Sequence, residues 1–189
     1  YTRTERRRDF SVPPPEDTLL DRTVRSGYEV VGVGKIGDIF AHRGLTREIH
    51  ATNNHEGILN TIECIKENFK GIVFTNLIDF DMKYGHRNDP EGYAGALESF
   101  DHSLPVLVDA LSAGDILIIT ADHGCDPTTP GTDHSREYVP LLVFGKQLNK
   151  PRSLGIRKSF ADVGATISEA LLKLKCDNGK SFFQELISG

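Results

Sequence analysis

Three short stretches of this chain gather side chains that bind metals. Asp79-Phe80-Asp81-Met82-Lys83-Tyr84-Gly85-His86 follows one apolar run and Ala121-Asp122-His123-Gly124 follows another, while Gly131-Thr132-Asp133-His134-Ser135-Arg136-Glu137-Tyr138 forms a third cluster. Carboxylates mixed with neutral imidazoles suit zinc, manganese or iron better than calcium, which prefers an all-oxygen shell. Among the seven histidines, His86, His123 and His134 each have a carboxylate within five positions and sit in one of these stretches. His42, His50, His55 and His102 read as ordinary hydrogen-bonded side chains.

Other chemistries leave no comparable mark. A serine hydrolase of the nucleophile-elbow kind needs GxSxG, and a phosphate-cradling loop needs GxxxxGK[ST]; neither string occurs. Cys125 stands two positions from His123, but neighbours on one loop rarely achieve attack geometry, so it reads as a structural thiol.

The elements that must position these stretches follow from hydrophobic spacing. Asp17 is expected to cap a short helix carrying Leu19, Leu20 and Val24, ending before Gly27. Strand patterns run over 28–33, 71–78, 115–120 and 140–144. Asn54 is the expected cap of a helix bearing Ile58, Ile62 and Ile65, and a further helix over 91–111 should kink or break at Pro105. Two more helices are expected at 161–172 and 181–187. Helices alternating with apolar strands predict an α/β fold, a largely parallel sheet covered on both faces. Two glycines in Gly34-Lys35-Ile36-Gly37-Asp38-Ile39-Phe40 suggest a tight turn at the carboxyl end of the first strand, the edge where open α/β sheets bind ligands. Lys35 at that edge reads as an ordinary solvated lysine, with an ammonium reaching toward a bound phosphate as the alternative.

Composition bounds the rest. The 189 residues, 38% hydrophobic and 26% charged, suit one domain. A net charge of -5 argues against a nucleic-acid partner. No run approaches the roughly 20 apolar residues of a membrane span, so neither a membrane partner nor a leader is expected. Three widely spaced cysteines, Cys64, Cys125 and Cys176, give neither a disulfide framework nor a CxxC zinc site and fit a reducing cytoplasm. The chain opens at Tyr1 and its only methionine is Met82, so we expect a segment upstream. Residues 1–15 form a basic arm with Arg3, Arg6, Arg7 and Arg8, either a solvated terminus or a set of phosphate-facing guanidiniums.

At the same residues the chain resembles a known family. Asp79-Phe80-Asp81-x-x-Tyr84-Gly85-His86-Arg87-x-Asp89-Pro90, Thr120-Ala121-Asp122-His123-Gly124 and Gly131-Thr132-Asp133-His134-Ser135-Arg136-Glu137-Tyr138-Val139-Pro140 are similar to the phosphopentomutase branch of the alkaline phosphatase superfamily, and Gly34-Lys35-Ile36-x-Asp38-Ile39 agrees. The resemblance implies a three-layer α/β/α sandwich, a phosphorylated enzyme, two manganese ions, and ribose 1-phosphate and ribose 5-phosphate, with their deoxy analogues, as substrates. Asp81, His86 and His134 would hold one ion, and Asp122 with His123 the other. Lys35 and Arg7 would grip the sugar phosphate. The family's threonine nucleophile and an amino-terminal aspartate ligand have no counterpart here, so the expected catalytic nucleophile lies outside the chain. We therefore expect 16–189 to be the carboxyl-terminal part of the metal-binding core, lacking its amino-terminal strand, with 1–15 a remnant of a cap-domain edge. That missing amino-terminal segment is then a required partner. A phosphatase or another phosphomutase of the superfamily, and a non-catalytic metal-binding module, are the competing readings.

Overall fold

Strand β1, the valine-rich segment Glu29–Val33, is the centre of the fold, and both strands beside it run parallel to it: Arg47–Ile49 (β2) on one edge and Gly71–Thr75 (β3) on the other. The structure is a computed structural model that describes residues 11–188, apart from Asn68 and Asn149. Side chains alternate across a strand. Val31 and Val33 accordingly meet Ala51 and Cys64, with Ile49 and Val73 packed on the same cluster. Val30, just before Val31, is fully buried on the opposite face, where helix α1 (Leu19–Arg25) packs against β1. A parallel sheet must be covered on both faces, and here α1 lies on one and α3 (Asn54–Lys66) on the other.

A second cluster joins α3 to the long helix α4 (Pro90–Ala110): Ile58, Ile62 and Leu107 are buried together, with Phe100, Leu77 and Leu117 against them. Leu117 opens β4 (Leu117–Thr120), which pairs antiparallel with β5 (Leu141–Phe144). The α/β, mostly parallel architecture is thus present, and β5 is its departure. A parallel return requires a crossover element, whereas 121–140 is a run of turns that reverses the chain directly. The chain closes with α5 (Ala161–Ile167), continued as a π-helical turn over Ser168–Leu172, and α6 (Phe183–Ile187). No helix among the described residues is long and apolar enough to cross a membrane.

Several boundaries differ from the sequence expectations. Thr18, not Asp17, caps α1: its hydroxyl accepts from the Asp21 N–H while the Asp21 carboxylate accepts from the Thr18 N–H. Asp17 instead pairs with Arg25 and Arg43. Asn53, not Asn54, caps α3 by accepting from the Glu56 N–H. Helix α4 runs unbroken through Pro105. Its ring lies on the exposed side, as does Asp101, whose carbonyl loses its helical donor, and α4 is held to its neighbours by Phe100 before the proline and Leu107 after it. The short strand β2 had no sequence expectation; three residues are too few to show an alternation.

Candidate metal centre

Each metal-binding stretch is delivered by a strand or by its contact with another loop. After β3 the chain winds through a π-helical turn, Phe80–Tyr84, and a 3₁₀ turn, Gly85–Arg87. Asp79 anchors this winding. Its carboxylate accepts from the Asn54 N–H at 2.9 Å, its own N–H donates to Asn54 Oδ1 at 2.9 Å, and Lys83 Nζ stands 3.0 Å from its other oxygen. Buried and fully engaged, Asp79 serves the fold and leaves Asp81, two residues on, to face the site.

Asp81 is where the three stretches meet. Its Oδ1 lies 3.1 Å from His86 Nε2 and 3.1 Å from His134 Nε2, and His123 Nε2 is 4.0 Å away. The rings of His86 and His134 stack with centroids 4.9 Å apart, and those of His123 and His134 at 3.6 Å. His86 Nδ1 donates to the Thr132 carbonyl, and His123 Nδ1 to that of Gly124 at 3.1 Å. A donating Nδ1 fixes the tautomer and leaves Nε2 unprotonated, the arrangement that orients metal-ligating histidines.

Backbone contact brings His123 and His134 together. The loops after β4 and before β5 meet in an antiparallel bridge between Gly124 and Ser135, where the Ser135 N–H donates to the Gly124 carbonyl at 3.1 Å. A Cβ on Gly124 would fall 2.6 Å from the Ser135 carbonyl oxygen, so this approach demands glycine. Cys125 Sγ lies over Gly85, filling the space between the two ligand loops. Burial raises the thiol's pKa, and the carboxylates of Asp81, Glu137, Asp122 and Asp126 push the same way. It fits the structural reading of this cysteine.

The ligand atoms of Asp81, His86 and His134 all lie within 4.8 Å of one another. Ligands about 2.1 Å from an ion and at right angles to each other stand about 3 Å apart, so this donor set fits a divalent cation. Asp122 and His123 are less complete. Asp122 Oδ1 is 3.7 Å from His123 Nε2, Asp122 is well exposed, and no third described carboxylate or imidazole closes a set around this pair. Among the described residues, Asp81, His86 and His134 form a candidate donor set, and Asp122 and His123 do not complete one.

Lys35 immediately precedes the one-turn helix α2 (Ile36–Ile39) at the carboxyl end of β1, and its side chain makes no capping bond to that helix. Gly34 before it has φ +79°, and a Cβ there would meet the Asn76 carbonyl oxygen at 2.5 Å, so the turn closes onto the end of β3 as only glycine permits. Arg7 lies outside the described residues, as do the other arginines of the arm. The remaining histidines behave as ordinary polar groups where their partners are seen. His42 pairs with Glu48, and His102 bonds the Glu98 carbonyl. Two contributors escaped sequence reading, Asp79 as an anchor and Thr132 as a backbone acceptor. A buried carboxylate and a main-chain carbonyl have no signature in residue type.

Residues 27–174 match the family profile described as metalloenzyme superfamily. Over 186 residues and 98% of its length the chain is 56% identical to a phosphopentomutase of Caldanaerobacter subterraneus, covering 47% of that protein, and 54% identical to one of an Anaeromyxobacter strain. A phosphopentomutase of Clostridium novyi is 51% identical over 187 residues. The chain spans about half the length of these curated relatives. Among solved structures, a phosphoglycerate mutase of Leishmania mexicana superposes with a TM-score of 0.65 at 22% identity, over 86% of this chain and 38% of that one. At that identity the likeness concerns the fold.

Proposed function

Because the chain belongs to the metalloenzyme superfamily, we propose that it is the metal-holding part of a cytoplasmic phosphopentomutase, a metal-dependent isomerase that interconverts ribose 1-phosphate and ribose 5-phosphate and their deoxy analogues. The observation that carries this reading is the convergence of Asp81, His86 and His134, drawn from two distant segments, onto one donor cluster. Asp81, His86 and His134 hold one manganese ion, while Asp122 and His123 hold a second. When bound, the ions neutralise phosphoryl oxygens and support in-line transfer. Lys35, at the strand edge, holds the substrate phosphate, and Arg7 is read as a second phosphate-binding residue. The Thr132 and Gly124 carbonyls keep the imidazoles presenting Nε2.

Two groups must come from outside these 189 residues: the threonine that carries the phosphoryl group, and a carboxylate completing the second metal set. We place that carboxylate on a strand between β3 and β4. What supports this is that, among the described residues, β3 pairs only with β1 and β4 only with β5, while β3 packs on α3 and β4 joins the α3–α4 cluster through Leu117.

The test is complementation. The chain is mixed with manganese, ribose 5-phosphate and the part of the Caldanaerobacter relative that it does not match. Formation of ribose 1-phosphate is the expected result. Free phosphate as the main product would make the protein a phosphatase, and metal binding without turnover would make it a non-catalytic module.

A further inference from the structure

Asn88 occupies the left-handed region, φ +51°, immediately after the 3₁₀ turn that carries His86. Its backbone N–H donates to the Gly85 carbonyl at 3.2 Å. Its side chain turns away from that turn and across to the opposite loop. There Nδ2 donates to the Gly131 carbonyl at 2.8 Å and the Thr129 carbonyl at 2.9 Å, with the Pro127 carbonyl at 3.3 Å. One primary amide thus gathers three carbonyls from the loop leading into His134. The other hydrogen bond between this loop and the turn among the described residues is that from His86 Nδ1 to the Thr132 carbonyl, which belongs to a candidate ligand itself.

We propose that Asn88 is the positioning residue of the metal centre: by holding 127–131 against the 85–88 turn, it sets the separation of His134 from Asp81 and His86. The proposal rests on the reading of these three side chains as ligands. Its physical basis is the geometry of the amide. A carboxamide offers two N–H groups and no charge, which suits a concave array of carbonyl oxygens. A carboxylate in the same place would face those oxygens with its own negative charge. Asparagine also tolerates φ near +50° better than most residues, so a single side chain satisfies both the turn and the loop. Without the amide, 127–131 loses its attachment, and His134 enters metal binding from a wider range of positions. Groups that hydrogen-bond a ligand directly typically contribute a factor of about 10 to 100 in metal affinity, and Asn88 acts one step further out, through the backbone of 127–131. Asn88 is exposed, where water competes, which places its effect at the lower end.

Two variants separate the side chain from the backbone. Asn88→Gly keeps the left-handed turn and removes the amide. Asn88→Asp keeps the shape and replaces the donor with an acceptor. Cobalt(II) alone, without substrate, is titrated into the chain and each variant, following both the dissociation constant and the visible d–d absorption, while thermal melting is recorded on metal-free protein. The expected result is at least about tenfold weaker cobalt binding in both variants, with an altered absorption band and a metal-free melting temperature in Asn88→Gly close to that of the parent. Cobalt affinity within twofold of the parent in both variants, or a loss that tracks melting temperature with an unchanged band, would overturn the proposal. Failure of the parent chain to bind cobalt would instead overturn the assignment of Asp81, His86 and His134 as ligands, and the role of Asn88 with it.

Discussion

Asn54 and Asp79 bond each other reciprocally, each backbone N–H donating to the other's side chain at 2.9 Å. The pair ties the first turn of α3 to the end of the segment after β3, and it divides the labour between two aspartates that lie two positions apart. Asp79→Ala leaves the buried Asn54 N–H without its acceptor and Lys83 without its carboxylate, and should destabilise the chain by about 1–3 kcal/mol, read as a lower urea midpoint. Asp81→Ala should leave the midpoint nearly unchanged and abolish tight manganese binding by calorimetry. If Asp79→Ala melts normally while Asp81→Ala unfolds, the roles are reversed.

For Lys35 the prediction concerns turnover. A charge-assisted bond to phosphate contributes roughly 1.5–3 kcal/mol, which corresponds to about a tenfold to hundredfold change. In the complemented mixture, Lys35→Ala should lower kcat/KM for ribose 5-phosphate by that factor with metal content unchanged. Loss of metal, or unaltered kinetics, would remove Lys35 from the substrate site.

Much of this arrangement was legible in residue type and spacing, and what was not has a physical cause. Runs such as Gly71–Thr75 and Leu117–Thr120 announce strands because they are apolar up to their closing threonines, and two of the three candidate ligand stretches stand out because each follows such a run. The antiparallel return of β5 was hidden because strand direction depends on what 121–140 does as a loop. The continuity of α4 was missed because proline is judged by the bond it removes, whereas packing on both sides of Pro105 outweighs that loss. The cap at Asn53 rather than Asn54 was a choice between neighbours, decided by Asp79, twenty-five positions later.

Pro105 also yields a stability prediction. It is exposed and interrupts the hydrogen bonds of a 21-residue helix. Pro105→Ala restores one donor and should raise stability by up to about 3 kcal/mol, measured as a higher melting temperature. A fall in melting temperature would mean that the proline ring packs usefully.

Acid should unfold the carboxyl-terminal region through Asp162. This buried carboxylate accepts from the Lys180 N–H at 2.8 Å and from Arg157 Nε at 3.0 Å. The Lys180 N–H, and after it the Arg157 guanidinium, hold its pKa below the ordinary value against the opposing effect of burial. A depressed folded pKa contributes stability that is fully present above the unfolded value of about 3.9, and this is lost as pH falls through the folded value. Asp162→Asn should therefore be about 1–3 kcal/mol less stable at neutral pH and show a flatter decline below about pH 4. An unchanged acid limb by circular dichroism would count against this role.

The two pairing systems of the fold have unequal lifetimes against local opening. Amides of β1, hydrogen-bonded on both edges and flanked by fully buried Val30, Val31 and Val33, should exchange with deuterium only through global unfolding. The β4–β5 pair is a two-stranded unit with Leu142 and Phe144 partly in solvent, and such pairs gain little stability from their own strands. Asp81 is attached to the first system through β3, and His123 and His134 to the second. A cation bridging them makes the opening of β4 and β5 cost metal release as well, so added manganese should slow exchange most in 117–144 and scarcely at all in β1.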